Sequence, residues 1–310
     1  MIKIERILCP TNLSNESDEA LRYGVALARA YSAKLFLLYC GSEIEETGQH
    51  IKGLFEESLA TYLGLADIAT LDWEGIVVEN GKEPGEEIVR EAAERRIDLI
   101  VMRSRRRPHA AALLGSTAER VYRTAPCPVL VTHPDEREWV SLSTGEVDLR
   151  RILVAHDFST DSELALRYAA SLAQEYQAEL HLIHVLSHPE TDGPEIAWGQ
   201  GSVEGAYHQA ARRLQYAISA EAHLWLKLTH TVRWGKPYQE VLAYAREQGI
   251  DLICMGANGR NFSMGALFGS NVDRVLRQAP CPVLVARPLK PALPAHLKKD
   301  FKGQAKGARQ

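Results

Sequence analysis

Short apolar runs alternate with amphipathic stretches along most of the chain. Runs such as Leu35-Phe-Leu-Leu-Tyr39 and Leu252-Ile-Cys-Met255 are apolar throughout rather than every second residue. That is the pattern of a strand covered on both faces. Between such runs, sets such as Leu164, Leu166, Tyr168, Ala169, Leu172 and Ala173 give a helix one apolar face. The pattern predicts strands near 5–10, 34–40, 74–79, 98–102 and 127–132, then again near 151–155, 179–185, 229–234, 251–255 and 281–286. It predicts helices near 15–31, 48–64, 84–96 and 116–124, and near 160–176, 204–226, 237–248 and 269–278. Strands alternating with helices argue for parallel strands joined by helical crossovers.

The two halves of that pattern are copies of each other. Arg6-Ile-Leu-Cys-Pro-Thr-Asn-Leu-Ser14 returns as Arg151-Ile-Leu-Val-Ala-His-Asp-Phe-Ser159. Ile97-Asp-Leu-Ile-Val-Met102 returns as Ile250-Asp-Leu-Ile-Cys-Met255, and Ala125-Pro-Cys-Pro-Val-Leu-Val131 as Ala279-Pro-Cys-Pro-Val-Leu-Val285. A period near half the chain is too long for a solenoid, so one domain has been duplicated. The expected domains are 1–133 and 148–287, followed by a basic tail over 288–310. His133-Pro-Asp-Glu-Arg-Glu138 and Ser141-Leu-Ser-Thr-Gly145 read as a polar, turn-rich linker between them, and the Gly-rich insertion over 189–205 as a loop at the site's edge.

Chemistry concentrates in Met255-Gly-Ala-Asn-Gly-Arg-Asn-Phe-Ser-Met-Gly-Ala-Leu-Phe-Gly-Ser-Asn271, which runs from an apolar strand to the helix-like Val272-Asp-Arg-Val-Leu-Arg277. In a strand–loop–helix setting, glycines let backbone N–H groups approach a ligand, and the helix start attracts an anion. Ser270 adds a hydroxyl at the capping position. A plain glycine-assisted turn would use the same residues. Neither the Gly-x4-Gly-Lys-Ser/Thr nor the Gly-x-Gly-x-x-Gly fingerprint occurs in the chain.

The spacing Gly-x2-Gly-x9-Gly-Ser resembles the nucleotide loop of the universal stress protein family. So do the two first strands and the two Pro-Cys-Pro-Val-Leu-Val segments, and the resemblance covers about 2–132 and 148–287. It implies two tandem doubly wound α/β domains of Rossmann-like, adenine nucleotide alpha hydrolase-like fold. Each would hold a five-stranded parallel sheet with helices on both faces, and ATP would lie at the topological switch point, where ligands of such sheets bind. Carried onto this chain, the resemblance implies that Asp157, with the neighbouring backbone at Ala155, holds the adenosine and that Val185 touches the adenine. Met255 and Gly256 would lie near base or ribose, Gly259 and Arg260 towards the phosphates, and Gly269, Ser270 and Asn271 would complete the phosphate contacts. Asp157 is also compatible with an ordinary helix-capping aspartate. In relatives the last strand pairs across a two-fold axis, so the strands ending Val131 and Val285 are expected to pair within this one chain. A homodimer of whole chains and an unknown protein partner are compatible with the sequence.

The first copy departs from this pattern. Asn12 stands for the carboxylate, Arg103-Ser-Arg-Arg-Arg-Pro-His109 for the glycines, and only Gly115-Ser116 survives. Side chains filling the phosphate space would leave ATP, with or without Mg, to the second copy alone. The arginines are compatible with another anion, or with a solvated loop paired to Glu83 and Glu86. His156 and His184 end adjacent strands near Asp157, but no metal-ligand spacing accompanies them, and ordinary strand-end histidines are favoured.

Composition narrows the function classes. A net charge of −4 gives no reason to expect nucleic acid, and no segment approaches a membrane span. The first residues have no signal-peptide layout, and five cysteines in or beside apolar strands suit buried thiols in a reducing cytoplasm. With Asp157 the only evident carboxylate near the loop and no general base, at most slow ATP hydrolysis is expected. The function expected is an ATP-binding sensor or regulator in stress response. The alternative is an interaction scaffold or carrier of a small ligand other than a nucleotide.

Overall fold

A computed structural model describes residues 2–41, 48–63, 65–79, 83–104, 115–133, 137–141, 145–187, 203–259 and 270–289. The first half runs β1 (Arg6–Thr11), α1 (Asn15–Tyr31), β2 (Lys34–Gly41), α2 (Gly48–Ala60), α3 (Leu65–Thr70), β3 (Trp73–Glu79), α4 (Pro84–Glu94), β4 (Leu99–Arg103), α5 (Ser116–Thr124) and β5 (Val129–Thr132). The second runs β6 (Arg151–Ala155), α6 (Thr160–Tyr176), β7 (Glu179–Leu186), α7 (Val203–Tyr216), β8 (Leu228–Trp234), α8 (Pro237–Glu247), β9 (Leu252–Gly256), α9 (Ser270–Gln278) and β10 (Val283–Ala286). Two of the predicted helices are cut short. The one over 48–64 closes at Ala60, where the N–H groups of Tyr62 and Leu63 both turn back onto the Leu59 carbonyl. The one over 204–226 ends at Tyr216 and is followed by a 3-10 turn, Ala222–Leu224. There the Ser219 hydroxyl accepts from the Ala222 N–H at 3.4 Å, a local bond that competes with helix continuation. Val203 to Gly205, expected in a loop, open α7. The rest of that insertion and the tail from 290 lie outside the described residues.

Each half is a doubly wound sheet with strand order 3-2-1-4-5, and together they form one ten-stranded sheet, β3-β2-β1-β4-β5-β10-β9-β6-β7-β8. Every pairing within a half is parallel; β5 and β10 pair antiparallel, with Val131 opposite Val283 and Val129 opposite Val285. Successive strand residues then face opposite layers. Ile7, Ile152 and Val154 join the core beneath α1, α2, α6 and α7, whereas Leu8 and Leu153 join the core beneath α4, α5, α8 and α9.

Side chains reinforce the seam. The buried Arg287, just past β10, donates to the carbonyls of Tyr122 at 2.6 Å, Ala125 at 2.8 Å and Arg123 at 3.2 Å, so a cation of the second half caps the C-terminal end of α5. Asp273 of α9 accepts from the Tyr122 hydroxyl at 2.6 Å and from Arg123 at 3.0 Å. The described part of the linker, expected to be polar and turn-rich, is a structural part of the join. Trp139 is 1% exposed, edge-on to Tyr23 of α1 at 4.8 Å and tilted against Tyr176 of α6 at 6.3 Å. Glu138 holds the buried Arg22 of α1, and the Arg137 N–H bonds the Pro280 carbonyl at 2.8 Å.

Four of the five cysteines are buried and none is in a disulfide. Burial raises the thiols of Cys9, Cys127 and Cys254 well above their ordinary range, and that of the half-buried Cys40 to about 11. No described helix is long and apolar enough to cross a membrane. Because Trp139 fills space that both halves share, Trp139→Ala is expected to lower the unfolding free energy by about 3–5 kcal/mol. Urea denaturation followed by circular dichroism measures this; a loss below about 1 kcal/mol would mean the linker is not part of the core.

Candidate functional site

The C-terminal ends of β6, β7 and β9 lie side by side. Ala155 is opposite both Ile183 and Met255, and past the strand ends the His156 N–H bonds the Ile183 carbonyl at 2.9 Å. Ala155, Val185 and Met255 all pack into the layer shared with α8 and α9. The sheet therefore brings together the three apolar residues assigned by resemblance to the adenosine. Asp157 follows at the turn into α6. Its Oδ1 accepts from the Ser159 N–H at 3.0 Å, and Ser159, not Asp157, is the helix cap, exchanging bonds with Ser162 in a reciprocal capping box. The capping reading of Asp157 therefore does not hold for α6 itself.

The two described glycines of the loop are required for different reasons, and neither has a positive φ. A Cβ on Gly256 would lie 2.5 Å from the Asp161 carbonyl carbon and 2.6 Å from the Ser162 nitrogen. Gly256 thus lets the first turn of α6 sit on the end of β9. Among the described residues, a Cβ on Gly259 would meet only the carboxylate of Asp157, its Oδ2 at 2.7 Å. That glycine is exposed. Ser270, exposed, and Asn271, half-buried, open α9. Arg260 and Gly269 lie outside the described residues.

Asp157 is not the only carboxylate at the loop. Asp161 Oδ2 accepts from the Asn258 backbone N–H at 3.0 Å and from its side-chain amide at 2.9 Å, pinning the loop's start to α6. The sequence signal was weak, an aspartate in a helix's first turn. Its partner lies 97 positions away.

The histidines do converge, but not as a metal cluster: among the described residues no group of three or more His, Cys, Asp or Glu is arranged to hold a metal. His184 Nδ1–H donates to the His156 carbonyl at 2.7 Å. His156 Nδ1 accepts from the Phe158 N–H at 3.2 Å, which fixes the neutral tautomer with its proton on Nε2. Burial, helped by His184 and Arg213 and opposed by Asp157, lowers the His156 pKa to about 4, so the ring is neutral near neutral pH. Phe158 takes the left-handed region, φ 64°, and Leu13 of the first half does the same at φ 58°. Each is held by the residue two before it, through His156 Nδ1 or Thr11 Oγ1.

The first half differs from expectation. Its described residues leave a cavity of about 600 Å³, lined among others by Thr11, Asn12, Leu38, Cys40, Met102, Arg103, Ser116 and Thr117. The expectation that Arg103 to His109 fill the phosphate space falls mostly on residues outside the described ones. Arg103 ion-pairs with Glu19 rather than Glu83 or Glu86, and Glu86 pairs with Arg120. Arg105 to His109 lie outside the described residues. Asn12 Oδ1 already accepts from the Ser14 hydroxyl at 2.7 Å and its N–H at 3.3 Å.

Comparison with known proteins agrees with the fold. The model of the Universal stress protein family matches residues 3–133 and 148–287. Universal stress protein G of Shigella flexneri is 34% identical over 130 residues, 41% of this chain and 89% of that protein. A universal stress protein of Methanocaldococcus jannaschii is 27% identical over 147 residues, 47% of this chain and 86% of its own. The crystal structure of a universal stress protein from Archaeoglobus fulgidus DSM 4304 superposes with a TM-score of 0.64 at 24% identity, covering 92% of this chain and 99% of the other; at that identity the likeness concerns the fold alone. Since both halves match, the chain belongs to the universal stress protein family.

Proposed function

We propose that the protein is a nucleotide-dependent regulator that holds one adenine nucleotide, ATP, at the carboxyl ends of β6, β7 and β9. The observation that carries this reading is the pairing of Asp157 with Gly259: a carboxylate whose Oδ2 faces a loop glycine on which a Cβ would meet no backbone among the described residues. In this reading Asp157 accepts from ribose hydroxyls and Ala155, Val185 and Met255 flank the base. The start of α9 at Ser270 and Asn271 offers backbone N–H groups to phosphate oxygens, as helix N-termini do. Arg260 and Gly269 would complete that contact. A magnesium ion would come with the phosphates, held by them and by few protein groups.

Among the described residues, occupancy of the second half alone is argued from chemistry. Asn12 cannot supply a charged acceptor, and its amide oxygen is engaged with Ser14. In this reading the duplicated domain has kept one nucleotide site, and the pairing of β5 with β10 replaces the two-fold contact of separate subunits. The open first-half cavity favours a second reading, in which that half carries a different small ligand. In this reading the role is to sense nucleotide rather than to turn it over quickly.

Denaturing the purified protein and chromatographing the supernatant tests occupancy. The expected result is about one ATP or ADP per chain, lost in Gly259→Arg. Two per chain would refute the asymmetry, and none, even after added ATP, would remove the nucleotide reading. The two glycines separate structure from binding. Gly256→Ala is expected to cost about 1–3 kcal/mol of stability, because backbone must move. Gly259→Ala is expected to stay within about 0.5 kcal/mol of wild type while losing bound nucleotide. Thermal denaturation and nucleotide content on the same samples measure both.

A further inference from the structure

A second cleft lies on the opposite face of the sheet, between α6 and the end of α7. Its volume is about 620 Å³, within the usual range of small-molecule sites, and His156, Phe158, Arg167 and Arg213 are among its lining residues. It is separate from the nucleotide position because Ile152 and Val154 of β6 face this layer, whereas Ala155, Val185 and Met255 face the other.

Three features point to a ligand. His156 is 3% exposed and its Nε2, which carries the proton, has no hydrogen-bond partner although the residue lines the cleft. An unmatched buried donor costs about 1–3 kcal/mol, which a bound acceptor would recover. Arg167 and Arg213 form no ion pair among the described residues, and the Arg213 guanidinium lies over the Phe158 ring at 3.9 Å, which holds it at the cleft. Third, apart from Glu163 and Ser219 the remaining wall is largely apolar, with Leu166, Ala170, Ala217 and Ile218, and Tyr216 lines it while keeping 81% of its surface exposed.

The first half shows what these positions do when no ligand is needed. The counterpart of His156 is Thr11, whose hydroxyl takes the Leu13 N–H and bonds the Ser17 hydroxyl at 2.8 Å. The counterpart of Arg167 is Arg22, buried and held by both oxygens of Glu138. In the second half the imidazole still supports the turn through Nδ1 and keeps a buried, unpartnered Nε2–H in a residue that lines the cleft, and Arg167 forms no ion pair among the described residues.

We propose that this cleft binds a small monoanionic carboxylate with an apolar or aromatic body. The carboxylate would accept from His156 Nε2–H and from the guanidinium groups of Arg167 and Arg213, while its body covers Phe158, Leu166 and Ile218. A monoanion fits because Glu163 also lines the cleft, so two guanidinium groups against one carboxylate leave one net positive charge. Guanidinium groups recognise the planar carboxylate through paired N–H donors.

The test uses 2-naphthoate and its neutral analogue 2-naphthamide as probes of the full-length protein, by isothermal titration and saturation-transfer NMR. Expected is saturable naphthoate binding, at least about ten-fold tighter than naphthamide, weakened at least ten-fold by Arg167→Ala/Arg213→Ala. Both arginines are exposed, so the double variant keeps the wild-type circular dichroism and melting temperature. Gly259→Arg and saturating ATP leave naphthoate binding unchanged, so failure of the nucleotide reading does not touch this result. Equal affinity for the two probes, no saturable binding, binding that survives the double variant, or displacement by ATP would each overturn the proposal.

Discussion

Everything else in this chain depends on the antiparallel pairing of β5 with β10. A doubly wound half-sheet ends in a short, wholly apolar strand with open N–H and C=O groups on one side, an edge that invites uncontrolled association. Two copies in one chain close that edge on each other. The two parallel sheets become one ten-stranded sheet, whose faces are shared layers rather than private cores. Arg287 capping α5, Asp273 binding Tyr122 and Arg123, and Trp139 between α1 and α6 are the side-chain consequences of that closure.

Once the copies are joined, they need not stay alike. At the end of the first strand the same left-handed turn is supported by Thr11 in one half and His156 in the other. The buried Arg22 is held by a linker glutamate, whereas Arg167 forms no ion pair among the described residues. At the end of the fourth strand stands Arg103 in one half and Gly256 in the other; only the glycine allows α6 to lie against the strand end. The copies are thus distinguished by small substitutions at fixed backbone positions, while the strands that carry them hardly change.

The roles of the loop glycines illustrate how sequence motifs mix structure with chemistry. Gly256 and Gly259 belong to one spacing pattern, yet one accommodates a helix and the other a carboxylate. A motif read from sequence gives both the same weight. Asp161 shows the reverse case, because it fixes the loop through Asn258 without being part of any pattern.

Local pattern alone determined the strands, most of the helices, the duplication and the family. Those features rest on hydrophobic period and on residue identity at short range, which are present in the chain before it folds. Helix ends at Ala60 and Tyr216 were not legible, because turn bonds at Leu59 and Ser219 decided them against an apolar pattern that continued. The linker's burial was hidden because its many polar residues surround a single Trp139 whose partners, Tyr23 and Tyr176, lie far away in sequence. Only the tertiary structure decided which glycine touches Asp157, that Arg103 pairs with Glu19, that the described residues of the first half line a cavity and that His156 keeps a buried donor without a partner. Each of these is a relation between side chains brought together by crossovers, and no run of neighbouring residues encodes it.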